Sequence, residues 1–378
     1  MIPTLANRVA VVNSAQTQLR PAWSGSQHID LISEAVNKSL KGTGLRIDDV
    51  DFVIDSGSDF LDGRSISNCG FLGAMGAHHK EESRVEEDGL WSLTYAVNKI
   101  AGGSADVGLA IAYSKPSESN VRDYWANLVE PFLQRPVGLD HLSAAGLYGQ
   151  RYLAAAGLKA DDLHLVTRRA WEAAVANQNV DLDEVPAEDS FWYDEVATPL
   201  RASDFARPVD GAVAVLLARA EIADQIAARP VWVTGTGSAI DQHFFAAREP
   251  HTLPACEAAA RSAMRMADVS SALDIDLLEV SATSTVGELM VLEALGVADR
   301  HRAIELYRGE ADGRINPSGG ALPADVIMAT GLVRLHEAAA RLSGRTGYET
   351  DQARTALVHG TGGFAMQNHC VVIMEAAS

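Results

Sequence analysis

The sequence predicts an α/β protein, and three observations carry that prediction. Apolar runs of strand length alternate with helical stretches from end to end. The same order of elements recurs in the second half of the chain. Hydrophobic residues make up 47% of the 378 positions and charged residues 21%, the usage of a globular chain long enough for two domain-sized units.

The elements follow in order. Residues 8–12 (RVAVV) read as a strand, 29–40 as a helix, 51–55 (DFVID) as a strand, 90–100 as a helix and 106–114 (DVGLAIAYS) as a strand. The series then repeats: 231–235 reads as a strand, 255–266 as an alanine-rich helix and 273–281 as a strand with acidic punctuation. A direct match supports duplication, because IDDVDFVIDS (47–56) aligns with ALDIDLLEVS (272–281), placing Asp49 on Asp274 and Asp51 on Asp276. Later, the helix ending in IAG (100–102) parallels one ending in LSG (342–344). The expected division is one half over 1–222 and a second over 223–378. Within the first half, 116–208 reads as a mostly helical insertion whose loops build one side of a binding site. The apolar run within RPVDGAVAVLLARA (207–220) returns the chain to the first sheet.

Charge and cysteine content exclude several classes. Fifty acidic against 31 basic side chains give a net charge of −19, which repels a phosphate backbone and argues against nucleic-acid binding. A polyanionic ligand would need locally placed cations, for which Lys80, Arg84, Arg168 and Arg169 are candidates. Cys69, Cys256 and Cys370 are too few and scattered for a disulfide framework, and no CxxC spacing points to zinc. The start MIPTLANRVAVV lacks a secretory pattern, and the longest apolar stretch, 211–218, is too short to span a bilayer. The expectation is a cytoplasmic protein without membrane insertion.

The most specific stretch is INPSGGALPADVIMATGLVRLHEAAARL (315–342). Asn-Pro-Ser-Gly-Gly forms a turn cluster with exposed amides, and Ala329, Thr330 and Gly331 open a helix, as in a ligand or oxyanion loop. The stretch resembles the NPSGG motif and the following ATG helix of thiolases. VDGAVAVLLA (209–218) resembles their SDGAAA strand, and SATSTVGELMVLEALG (281–296) the HDAFT segment of sterol-carrier-type and archaeal thiolases. HGTGGFAMQNHCVVIME (359–375) resembles their glycine-rich C-terminal hairpin. The resemblance spans essentially the whole chain. It implies the thiolase fold, with two duplicated halves, stacked mixed sheets and helices in layers.

The departures fall at the positions that carry the family's chemistry. Thiolases place a cysteine at the start of a buried helix, where the helix dipole and amides favour the thiolate. The matching segment, RVEEDGLWSLTYAVNKI (84–100), has none, and Asp88 or Gly89 stands there. Asp88 reads either as a helix cap or as a buried general base. The HDAF histidine falls on Ser281, the GHP histidine on Asp325, and the C-terminal acid/base residue on His359. Asp325 is open to the same two readings as Asp88, and His359 reads as hydrogen-bonded structure or as an acid/base. Ser281 could donate to a thioester carbonyl or cap the next helix. Asn316, Ser318, Gly319, Gly320, Gly362 and Gly363 are read as shaping the substrate cavity.

Three functions remain open. One is an enzyme that makes or breaks a carbon-carbon bond beside a coenzyme A thioester without an acyl-enzyme, as thiolase-like aldolases do. The second is a thiolase-like subunit with little chemistry of its own. The third is an acyltransferase with a relocated nucleophile, such as Cys69. Coenzyme A enters each as part of the substrate. The resemblance also implies a homodimer, with a zinc-ribbon and OB-fold partner or a second thiolase-like subunit.

Overall fold

The computed structural model describes residues 8–187, 190–309, 312–345, 347–348 and 353–377. The first half supplies β1 (Val9–Gln16), α1 (His28–Leu40), β2 (Phe52–Ser56), β3 (Glu81–Val85), α2 (Gly89–Ala101) and β4 (Val107–Ser114). The chain then leaves the sheet through α3 (Val121–Asn127), α4 (His141–Ala156) and α5 (His164–Val175), returning as β5 (Gly211–Arg219). The second half contributes β6 (Val231–Ile240), α6 (Pro254–Ala267), β7 (Leu277–Val280), α7 (Thr285–Ala294), α8 (Thr330–Leu342), β8 (Thr355–Gly362) and β9 (Asn368–Ala376).

Strand pairing shows the internal repeat. The order is β3-β2-β4-β5-β1-β6-β9-β8-β7. In the first half β2 runs parallel to β4, which pairs antiparallel with β5, which pairs antiparallel with β1. In the second, β7 runs parallel to β8, which pairs antiparallel with β9, which pairs antiparallel with β6. The halves join edge to edge where β1 meets β6, through Val9↔Val233, Ala10↔Trp232 and Val11↔Val231. The aligned aspartates do the same work in both halves. Asp51 Oδ2 accepts from the Asp106 and Val107 amides at 2.8 and 2.9 Å, and Asp276 Oδ2 from those of Arg354 and Thr355 at 2.9 and 3.0 Å. Each carboxylate holds the start of the adjacent parallel strand through charge-assisted hydrogen bonds.

Alternation of side chains along the strands generates the layers. On β5, Ala212, Ala214 and Leu216 pack with α1, while Val213, Val215 and Leu217 pack with α2 and α8. On β8 and β9, Val358, Cys370 and Val372 face that same middle layer, whereas Leu357, Val371 and Ile373 face α6. The two half-sheets therefore stack on a shared pair of central helices, with α1 and α6 outside. Close approach of α6 to β6 depends on Gly235 and Gly237, where a Cβ would overlap the carbonyl oxygens of Ala263 and Ala259.

Two local readings change. The segment 273–281 is a 3₁₀ turn (Ala272–Asp274) followed by the short strand β7. β3 was not visible as a strand because its sequence, EESRV, is charged, and it survives as one at the sheet edge, where charged side chains reach water. Among the described residues, no helix is long and apolar enough to cross a membrane.

Candidate active site

The N-termini of the two central helices converge. Asp88 is the N-cap of α2, and its Oδ1 accepts from the Leu90 amide at 2.9 Å. Its Oδ2 accepts from the Gly331 amide at the start of α8, 2.8 Å away. One carboxylate thus caps its own helix and tethers the equivalent helix of the other half. The approach is tight enough that a Cβ on Gly331 would overlap Asp88 Oδ1. The Gly89 amide donates to the Met328 carbonyl at 2.8 Å.

A cleft of about 590 Å³ opens at this junction. Glu86, Glu87 and Asp88 line one side, Asp325, Met328 and Thr330 a second, and Thr361, Gly362 and Gly363 of the β8–β9 hairpin a third. Ser281, Ala282 and Thr283 enter from the end of β7, and Tyr124, Trp125 and Leu128 from the insertion. A narrower recess lined by His141, Tyr148, Ser284 and Met366 adjoins it, sharing Trp125 and Thr283.

Burial sets the acid-base character. Desolvation pushes Asp88 up to about 7, opposed by its two backbone amides and reinforced by the Asp325 and Glu87 charges. Desolvation likewise raises Glu87 to about 7 against the hydrogen bond from Asn368 Nδ2. Asp325 rises to about 6 through burial, opposed by the Thr330 hydroxyl that donates to its Oδ1. Three carboxyl groups therefore titrate near neutrality in one cleft, a pattern that concentrates at functional sites. The Ser281 hydroxyl is buried at the cleft and has no hydrogen-bond partner among the described residues, which leaves a donor for a bound group. The Tyr124 hydroxyl donates to Met328 Sδ at 3.2 Å, and burial raises its pKa above the usual phenol value.

Of the residues read from sequence, Asp88, Ser281, Asp325, Gly362 and Gly363 line the cleft. His359 does not. It lies on the opposite face of β8, with Leu357, and its Nε2 is 2.9 Å from His369 Nδ1. The residue beside the carboxylate is Gly360, where a Cβ would lie 2.9 Å from Asp88 Oδ1. A one-residue shift on a strand exchanges faces, and the motif match alone did not fix that register.

Asn316, Ser318, Gly319 and Gly320 also lie outside the lining. Asn316 Oδ1 accepts from the Val280 amide at 2.7 Å, and Ser318 donates to Glu279 Oε2 at 2.6 Å. Glu279 in turn faces Arg334 of α8 at 3.4 Å, with both side chains fully buried. A Cβ on Gly319, at φ +100°, would crowd Ala174. The turn thus ties β7 to α8 and α5, neutralising charges in the middle layer. Arg84, a candidate for phosphate binding, is caged by Asp55, Asp62 and Glu86 at 3.4, 3.1 and 3.1 Å.

No thiol replaces the missing nucleophile in the cleft. Cys69 is exposed and outside the lining. Cys370 is buried between strand and helix, its thiol pushed up to about 12 by desolvation. Sequence reasoning missed Glu87, Tyr124 and Thr330. The Glu86-Glu87-Asp88 run was the available signal for the first, but it reads equally as a solvated surface.

Residues 237–376 match the family described as thiolase C-terminal domain-like. That match covers the second half of the chain, and the likeness to thiolases and thiolase-like proteins extends over the rest. An acetyl-CoA acetyltransferase of Methanothermobacter thermautotrophicus is 26% identical over 371 residues, covering 94% of this chain and 96% of that protein. A structure described as an Ltp2-ChsH2(DUF35) aldolase matches with a TM-score of 0.82 at 20% identity, over 99% of each chain. Human mitochondrial 3-ketoacyl-CoA thiolase gives 0.71 at 15% identity, covering 99% of this chain and 100% of that one. A monomeric SCP2-thiolase-like protein from Mycobacterium smegmatis gives 0.72 at 18%, covering 99% and 78%. The cleft of this chain is lined by carboxylates, and no cysteine lines it.

Proposed function

We propose that this chain acts on acyl-CoA thioesters, making or cleaving the carbon-carbon bond next to the thioester without a covalent cysteine intermediate. One observation carries the reading: the start of α2, at the cleft, presents Asp88, and no cysteine lines the cavity. In the cleavage direction a carboxylate takes the proton of a β-hydroxyl group. The Cα–Cβ bond breaks, its electrons pass into the thioester as an enolate, and the hydroxyl carbon leaves as a carbonyl. A protonated carboxyl then returns a proton to Cα. Glu87, less tied to backbone amides than Asp88, is the base in this scheme and, protonated by that step, the acid that returns the proton, while Asp325, the more acidic of the two, stays ionised beside it. Ser281 Oγ donates to the enolate oxygen. The aromatic recess beside Trp125 and Tyr148 takes the pantetheine arm, and coenzyme A is present only as part of the substrate.

A second reading rests on how completely Asp88 is occupied by the Leu90 and Gly331 amides: a thiolase-like subunit whose chemistry needs a partner. The aldolase of similar fold carries a DUF35 component in its name, and a partner of that type, on a homodimer of this chain, fits the reading. The discriminating assay offers the protein, alone and with its genomic neighbours, a β-hydroxyacyl-CoA and a β-ketoacyl-CoA with free coenzyme A. Cleavage of the hydroxy compound that survives Cys69→Ala and Cys370→Ala supports the first reading. Activity only beside a partner supports the second. Thiol-dependent cleavage of the keto compound sinks both.

A further inference from the structure

On the far side of the C-terminal half-sheet, three ligand-type side chains meet between β8, β9 and α6. Cys256 comes from the first turn of α6, His359 from β8 and His369 from β9. One ligand atom from each lies within 4.8 Å of the other two, and all three residues are buried. The imidazoles face each other through His359 Nε2 and His369 Nδ1 at 2.9 Å, with ring planes 28° apart. Their outer nitrogens, His359 Nδ1 and His369 Nε2, meet no hydrogen-bond partner among the described residues.

A hydrogen-bonded histidine pair alone leaves this arrangement unsatisfied. Only one of the facing nitrogens can carry the proton between them, so one outer nitrogen is a bare acceptor and the other a bare donor, both buried. If instead both outer nitrogens carry the protons, the two inner nitrogens present lone pairs to one another. A cation between them resolves that conflict, and metal-bound histidines commonly donate their second nitrogen to a backbone carbonyl. The neutral imidazole is the form that ligates.

We propose that Cys256 Sγ, His359 Nε2 and His369 Nδ1 form a buried site for a thiophilic divalent transition metal, with Zn²⁺ the best fit. Zinc takes nitrogen at about 2.0–2.1 Å and thiolate at about 2.3 Å, so tetrahedral ligation wants N···N near about 3.3 Å and N···S near about 3.6 Å. The rings need to open by about 0.4 Å, and the sulfur to approach by at most about 1.2 Å, from the observed spacing. Binding displaces the Cys256 proton to solvent, leaving the site with one thiolate and two neutral imidazoles. Its location ties the site to the cleft without making it catalytic. His359 and His369 flank the turn that carries Gly362 and Gly363, and the His359 carbonyl accepts from the Ser281 amide at 3.2 Å. A metal here pins one wall of the cleft from behind.

The test is metal content, not turnover. Protein produced with added zinc, and separately protein stripped with chelator and reloaded with one equivalent of Zn²⁺ or Co²⁺, is gel-filtered and analysed by mass spectrometry. The expected result is one equivalent per chain, falling at least tenfold in Cys256→Ala and in His369→Gln. The cobalt form should show a thiolate-to-metal charge-transfer band that disappears in Cys256→Ala. Wild-type protein that retains no metal after reloading overturns the proposal, and so does a full equivalent retained by either folded variant. Since the first outcome is read on the wild type, the proposal stays testable even if a variant fails to fold.

Discussion

Replacing Asp88 with asparagine tests the cleft where its electrostatics are most demanding. The side chain is buried, and desolvation sets its folded value at about 7 against an ordinary 3.8. That gap of about 3 pH units corresponds to about 4 kcal/mol at 1.36 kcal/mol per unit. Because the folded state holds the proton more tightly than the unfolded chain, stability is greatest at low pH and is lost as pH rises from about 4 to about 7. Between pH 5 and pH 8 the wild type should lose about 2–3 kcal/mol from this group alone, and Asp88→Asn should lose none of it. The substitution also leaves the Leu90 or Gly331 amide facing a side-chain NH₂, lowering stability by about 1–3 kcal/mol, but that offset does not change with pH and cancels in the comparison. Urea unfolding of both proteins at pH 5, 6, 7 and 8 gives the two slopes. Parallel slopes, within about 0.5 kcal/mol across the range, would refute the claim that Asp88 carries a desolvated, titrating charge.

Glu87→Gln should reduce cleavage of a β-hydroxyacyl-CoA by about 10²–10⁴-fold, the range for a general base, with little change in melting temperature. In the wild type, kcat/KM should fall as pH drops below about 7, as Glu87 takes up a proton, and that limb should disappear from the residual rate of Glu87→Gln. Ser281→Ala removes a hydroxyl that makes no hydrogen bond in the free protein, so stability should hold while kcat falls by about 10²-fold; equal kcat would exclude an enolate donor there. Gly331→Ala forces a methyl group into Asp88 Oδ1 and should destabilise the fold by about 1–3 kcal/mol, read as a lower urea midpoint at unchanged slope.

How far the sequence could be read depended on whether a residue's role was local. The Asp51 and Asp276 alignment was legible because each aspartate holds backbone amides at the same place in its own half, so duplication leaves the same residue at the same offset. Asp88 was legible as a cap for the same reason. Its second bond, to Gly331, spans 243 positions and has no sequence signature. Glu87 was hidden in an acidic run because nothing local shows that Tyr124 and the β8–β9 turn cover it.

His359 and the NPSGG turn mark the boundary most clearly. The motifs identified the segments but not which face of β8 the imidazole takes, nor that Ser318 would be committed to Glu279 and Arg334. By itself the sequence determined the α/β class, the repeated order of elements and the absence of a cysteine at the start of α2, because periodicity, repeat and residue identity are written along the chain. Only the tertiary structure decided that Asp88, Glu87 and Asp325 share one desolvated cleft, and that two histidines and a cysteine meet behind it. Burial and proximity between distant segments arise when the half-sheets close on the central helices, and they belong to the packed layers, not to any stretch of sequence.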